Sequence, residues 1–239
     1  MTFTTTKSAY WIGVRDGAPF ILVAAPFAVL FGVIATEAGL NLFEVMSFSF
    51  VVIAGAAQFT ALELMLKEAP TIIVLISALA VNLRVAMYSA ALTPYLGKAP
   101  LWHRALISYM LVDQSYALSH AKFEDKPDMT VTERTAYFFG TCTLVITAWF
   151  IFSFLGAALG TQLPASIPID FALPIAFLSM IAPMIRSLPH LVAAIVAIIV
   201  SLLCITVPYS LGLIIAGFSG MAAGSQTEVW LNKKKGDAQ

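Results

Sequence analysis

Residues 187–227 read SLPHLVAAIVAIIVSLLCITVPYSLGLIIAGFSGMAAGSQT, a run without a single Asp, Glu, Lys or Arg. As one helix, the part from 189 to 225 would be about 55 Å long, whereas a bilayer core of ~30 Å takes about 20 residues. The run therefore holds two membrane spans and has to fold back between them, and Pro208 marks the turn.

The same pattern fills most of the chain. Residues 17–66 carry only Glu37, Glu44 and Glu63 as charges, and between Arg134 and Arg186 there is only Asp170. Of 239 residues, 60% are apolar and 11% charged, with a mean hydropathy of +0.90. A soluble domain carries roughly 25% charged residues because its surface faces water. The expected fold class is an all-α integral membrane protein in a lipid bilayer, one transmembrane domain over 1–239.

Spans are expected near 18–40, 43–66, 70–93, 104–121, 135–160, 170–187, 189–207 and 209–225. Residues 1–16 form a polar tail rather than a signal peptide, because the apolar run after them is too long for a signal core. Residues 228–239 form a second tail. With eight spans and both tails in the cytoplasm, the inside receives Lys7, Arg15, Lys67, Lys122, Lys126, Arg134, Arg186, Lys233, Lys234 and Lys235. The outside receives only Lys98 and Arg104, the asymmetry expected of a bacterial inner-membrane protein. The fourth stretch is rich in polar residues and either crosses or lies half-buried, which leaves seven spans as the alternative. Trp11, Trp102 and Trp230 fall near span ends, where an amphipathic ring anchors at the interface.

A net charge of zero gives nucleic acid no electrostatic footprint. Cys142 and Cys204 stand alone in apolar segments and read as packing residues. There is no phosphate loop, His-Glu-x-x-His pair or Cys/His cluster, so no metal, cofactor or enzyme chemistry is expected.

Information then lies in the polar exceptions, since an ionisable group inside a bilayer is costly and faces a cavity or a partner. Ala54-Gly55-Ala56-Ala57-Gln58-Phe59 combines small residues, which let another backbone approach, with an amide that needs satisfying inside the bundle. Asn82-Leu83-Arg84-Val85-Ala86-Met87-Tyr88-Ser89 puts Arg84 midway along the third span. At 100° per residue Arg84 and Tyr88 share one face, while Asn82, Ala86 and Ser89 lie roughly opposite. Either the helix breaks there, or one face serves a solute and the other a neighbouring helix. Tyr109, Asp113, Tyr116 and His120 recur as a continuous polar stripe along the fourth span. Asp113 can compensate Arg84 as a structural ion pair, and it can equally carry a transported proton. Pro26 in the first span, Gly55 in the second, and Pro174 and Pro183 in the sixth are candidate helix breaks. Pro26-Phe27-Ala28-Val29-Leu30 matches Pro174-Ile175-Ala176-Phe177-Leu178 at Pro, Ala and Leu, the pattern of an inverted repeat whose helices one and six are broken.

Taken in order, Pro26-Phe27-Ala28 through Gly32, Ala54–Phe59, Asn82-Leu83-Arg84 with Met87-Tyr88-Ser89, and Asp113-Gln114-Ser115-Tyr116 resemble the AzlC family, which includes the YgaZ proteins. The resemblance covers nearly the whole chain. It implies the large subunit of a two-component exporter of branched-chain amino acids (valine, leucine, isoleucine) and in some members methionine. It also implies a small AzlD-type (YgaH-like) membrane partner.

The residues themselves allow a matching site. A zwitterion with an aliphatic side chain needs a carboxylate partner, an amine partner and an apolar pocket. Arg84 or broken-helix amides are candidates for the first, Asp113, Gln58 or Asn82 for the second, and Phe59 and Met87 for the walls; Tyr88 and Tyr116 are further candidate binding residues, and Asp113 is the preferred proton-coupling group. A facilitative pore that needs no coupling carboxylate and a non-transporting scaffold subunit are the competing readings.

Overall fold

The computed structural model describes residues 5–160, 185, 187–207 and 211–236. Among them the chain is helical with no strand: α1 Thr6–Gly17, a 3-10 turn Ala18–Phe20, α2 Ile21–Glu37, α3 Leu42–Val51, α4 Gly55–Leu66, α5 Thr71–Leu96, α6 Leu101–Tyr109, α7 Asp113–Asp125, α8 Val131–Gly160, α9 Leu188–Leu203 and α10 Leu211–Gly236. The all-α membrane class stands. Thr6–Glu37, Thr71–Leu96 and Val131–Gly160 are each long and apolar enough to cross a bilayer.

The chain divides into two compact units, Met1–Leu62 with Val81–Ile169, and Glu63–Ala80 with Asp170–Gln239. In the first unit α8 is the axis. Its 30 residues make a rod of about 45 Å. Along it α1 and α2 come into backbone contact. A methyl group on Gly13 would meet the Tyr137 carbonyl, one on Gly32 the Ser153 carbonyl, one on Gly156 the Val29 backbone, and one on Gly160 Thr36. Without lipid-excluded water to drive association, small residues that permit such approach are what hold membrane helices together. Residue numbers rise together on α2 and α8, so these two helices are parallel. In the second unit α9 and α10 pair the other way: Gly212 lies against Cys204, Gly220 against Ala193, and Gly224 against Pro189. They form an antiparallel hairpin, so the opening run does fold back, between Leu203 and Leu211. Pro208 itself lies outside the described residues, as do Pro174, Pro183 and the proposed match to Pro26–Leu30.

Several boundaries differ from the sequence expectation. The first helix begins at Thr6, inside the expected tail, because Thr5 caps it through the Ser8 amide and Ala9, Gly13 and Gly17 bury a face. Pro26 does not break its helix: α2 runs on to Glu37, losing only the one N–H that proline lacks. The last helix continues to Gly236 through the expected tail, where Lys234 sits over the Trp230 ring. The second and fourth spans are not continuous. The chain leaves helix over Val52, Ile53 and Ala54, and again over Met110, Leu111 and Val112. Each expected span is therefore two half-helices, α3 with α4 and α6 with α7.

Candidate functional site

The two interruptions adjoin one another beside the middle of α8. The Tyr109 hydroxyl, at the end of α6, donates to the Phe50 carbonyl near the end of α3, and the two rings lie 6.3 Å apart. The Cys142 thiol on α8 donates to the Met110 carbonyl at 3.4 Å. Seven residues further along α8, Trp149 meets the position where a Cβ on Gly55 would stand. Irregular backbone inside a bilayer persists only where its carbonyls find partners in protein or line a cavity. Here a tyrosine and a cysteine supply two of those partners.

The second interruption begins a helix with a charge. Asp113 is the first residue of α7, where the unpaired N–H groups and the macrodipole favour an anion. Ser115 closes the turn, accepting from the Val112 amide at 3.0 Å and donating to the Val112 carbonyl at 2.9 Å. Asp113 Oδ2 takes the Arg84 Nη1 at 3.0 Å, with the two side chains 28% and 21% exposed. Asp113 Oδ1 and Arg84 Nε are buried with no hydrogen-bond partner among the described residues. The pair thus neutralises itself while, among the described residues, Arg84 Nε and Asp113 Oδ1 stay without a hydrogen-bond partner.

Around it, α5 and α7 meet through aromatic rings. Tyr88 and Tyr116 stack at 4.2 Å and 9°, and the Tyr88 hydroxyl interacts with both Asp113 and Arg84. The helix through Arg84 is unbroken, so the choice left by the sequence resolves: the Arg84–Tyr88 face turns to α7. Asn82, roughly opposite on the helix, has a buried Oδ1 without a partner among the described residues. Met87 is 59% exposed and stands away from this cluster. The polar stripe is interrupted at 110–112: Tyr109 belongs to α6, and Asp113, Tyr116 and His120 continue along α7.

Gln58 and Phe59 belong to a different cluster, formed by α2, α3, α4 and α8. Gln58 is fully buried; its Nε2 donates to Ser49 Oγ at 3.3 Å, and its Oε1 has no partner among the described residues. Phe59 lies edge-on to Phe27 at 4.7 Å and to Phe31 at 5.5 Å, and Phe31 stacks on Trp149 at 6.2 Å. Phe31 also meets Phe48 at 5.8 Å. The result is a buried group of interlocking rings, with the Gln58 amide next in sequence to Phe59. Trp149 Nε1 and Ser153 Oγ, buried on α8, also lack partners among the described residues.

The sequence pointed to one site, and the structure distributes it over these two clusters. It also adds residues that hydropathy alone hides. Ser49 and Trp149 read as ordinary span residues, and Tyr109 as part of a stripe. The ring of Asp16, Lys122 and Tyr137 was unforeseen: the Tyr137 hydroxyl donates to Asp16 at 2.8 Å, and Lys122 approaches the same carboxylate at 3.6 Å. The signal available was the presence of Asp16 and Lys122 at the margins of apolar runs.

A family described as AzlC protein matches residues 19–163, which hold both interruptions and both clusters. Among curated proteins, the inner membrane protein YgaZ of Escherichia coli (strain K12) is 25% identical over 122 residues, 48% of each chain. The chain thus aligns with about half the length of that relative. No solved structure matches.

Proposed function

We propose, from the premise that the chain belongs to the AzlC family, that it is the large subunit of a secondary exporter of branched-chain amino acids working by proton antiport. A membrane transport-related role is carried by that membership. The finer reading rests on one observation, two discontinuous helices joined at their interruptions with Asp113 at the start of one half-helix. Transporters build solute and coupling-ion sites where half-helix ends and unwound backbone meet near the bilayer midplane. Asp113 stands about 18 Å from the far end of α7, a depth near the middle of a ~30 Å core.

The division of labour follows from the chemistry of the two clusters. The group of rings beside Gln58 takes the aliphatic side chain, and the free amide oxygen takes the ammonium. The substrate carboxylate goes to the Arg84 guanidinium or to the backbone amides at the start of α4. Asp113 exchanges the proton, and Arg84 holds its charge between turnovers. The partner is the small AzlD-type subunit that the resemblance implies, and the membrane is the bacterial inner membrane.

Topology ties the two interrupted segments together: either both cross or neither does. Because α2 and α8 are parallel, an odd number of crossings separates them. α5 alone, or α5 with both interrupted segments, satisfies this; α5 with just one does not. The first unit also carries Lys122 and Arg134 near the start of α8, a basic concentration that supports reading that end as cytoplasmic.

The test is efflux of labelled valine from proteoliposomes holding the full chain with its small partner. An imposed pH gradient is expected to drive valine out against its concentration, with lysine untouched. Efflux indifferent to the pH gradient favours the facilitative pore, and none with either solute favours the scaffold.

Gln58 offers a second check. A buried acceptor left unpaired costs about 1–3 kcal/mol, so Gln58→Leu is expected to leave thermal stability in detergent unchanged or raised. The same change is expected to raise the KM for valine at least about tenfold, as loss of one hydrogen bond to a charged group worth ~1.4 kcal/mol requires. A stabilised protein with unchanged KM would assign Gln58 to packing.

A further inference from the structure

We propose that His120 and Glu124 conduct protons between Asp113 and the aqueous phase at the C-terminal end of α7, an inference that rests on the proton-antiport reading above. Asp113, Tyr116, His120 and Glu124 fall at i, i+3, i+7 and i+11, one face of α7. The face is lined rather than open. Tyr88 stacks on Tyr116 at 4.2 Å, the Tyr116 and His120 rings are 5.5 Å apart, and Tyr95 meets His120 edge-on at 5.9 Å. His120 Nδ1 lies 3.6 Å from Glu124 Oε2. Exposure rises along the row, from 21% at the Asp113 side chain through 30% at His120 to 61% at Glu124. The row therefore begins at the buried ion pair and ends in solvent.

The groups facing His120 suit a relay. From α7 they are Tyr116 and the Glu124 carboxylate, and from α5 the Tyr95 ring. Tyr95 in turn is covered by the Arg134 guanidinium of α8 at 5.4 Å. Lys122, on another side of α7, is engaged with Asp16 at 3.6 Å. The nearest charge on His120 is thus an anion, and an imidazole is the side chain that accepts and releases protons near neutral pH.

In the export direction the O–H bond of protonated Asp113 breaks and an N–H bond forms on His120, the proton passing through the Tyr88 and Tyr116 hydroxyls and intervening water. The imidazolium then gives its proton to Glu124 or to bulk water. Each relay group returns to its starting state, and one proton has moved from Asp113 to the aqueous phase.

The experiment compares two rates in proteoliposomes holding the full chain and its small partner: pH-driven valine efflux, and valine–valine exchange without a gradient. His120→Ala is expected to slow the driven rate at least about tenfold, the lower part of what a proton-transfer group contributes. Exchange should stay at the wild-type rate, and imidazole added on the side of the α7 C-terminus should restore driven efflux. Glu124→Gln should give a smaller loss of the same kind. Retention of driven efflux by His120→Ala, an equal loss of exchange, or failure of imidazole to rescue would each overturn the relay. A wild-type protein that exchanges valine but ignores the pH gradient would instead remove the antiport reading, and the relay with it.

Discussion

Asp113→Asn is expected to abolish pH-driven valine efflux while leaving valine–valine exchange measurable. An asparagine has the shape of the protonated carboxyl and cannot lose the proton, so the site stays in the one state that the antiport cycle must leave. The driven rate should fall by about a hundredfold or more, the scale on which removal of a proton-transferring group acts. A simple structural reading makes a different prediction. Removing one member of a buried ion pair leaves its partner uncompensated and costs about 3–5 kcal/mol. Arg84 and Asp113 are mostly buried, so part of any loss could come from the stranded guanidinium. The double change Arg84→Met with Asp113→Asn separates the two. If the pair only holds α5 to α7, neutralising both sides restores stability and transport together. If Asp113 couples the proton, the double variant folds and still shows no pH-driven efflux. Full gradient-driven transport by Asp113→Asn would make the coupling assignment untenable.

This prediction leans on geometry that the sequence disclosed unevenly. That Arg84 needs a partner and that Asp113 can be that partner follows from the cost of charge in a bilayer, and the 3.0 Å contact is the outcome. The start of a helix at Asp113 was harder to read. Gly55 named the second span as a candidate break, and the interruption at Val52-Ile53-Ala54 falls directly before it, whereas Met110-Leu111-Val112 is apolar and free of proline and glycine, so hydropathy carries the fourth span straight through. What ends the helices is tertiary: the Tyr109 hydroxyl on the Phe50 carbonyl and the Cys142 thiol on the Met110 carbonyl. A local hint was present in Ser115, placed to close a turn onto Val112, and in the small residues around Gly55. The division of the polar residues into two clusters was not legible, because it depends on which faces of α2, α3 and α8 meet Gln58. Pro26 misled in the opposite sense. A proline in an apolar helix frees one carbonyl, and that alone does not end the helix.

The axis that carries both clusters rests on glycine, and Gly156→Leu is expected to be strongly destabilising. The Gly156 position faces the Val29 carbonyl, carbonyl carbon and Cα, and the Gly32 position opposite faces the Ser153 carbonyl and the Ala157 amide. These are main-chain atoms of two parallel helices and have no rotamer by which to yield. Overpacking a core where side chains can move costs about 1–3 kcal/mol, and here only separation of α2 from α8 relieves the clash, so a loss of at least about 3 kcal/mol is expected. That separation would also draw Phe27 and Phe31 away from Trp149 and open the group of rings. Size-exclusion of the detergent-extracted protein should show the monodisperse peak lost or greatly reduced. The control is Gly217→Ala on α10, where an added Cβ meets nothing within 4 Å. With no neighbour to displace and a better helix former in place, this variant should match or exceed the wild type by up to about 1 kcal/mol. Equal behaviour of the two variants would mean that glycine serves helix flexibility in this chain rather than the close approach of α2 to α8.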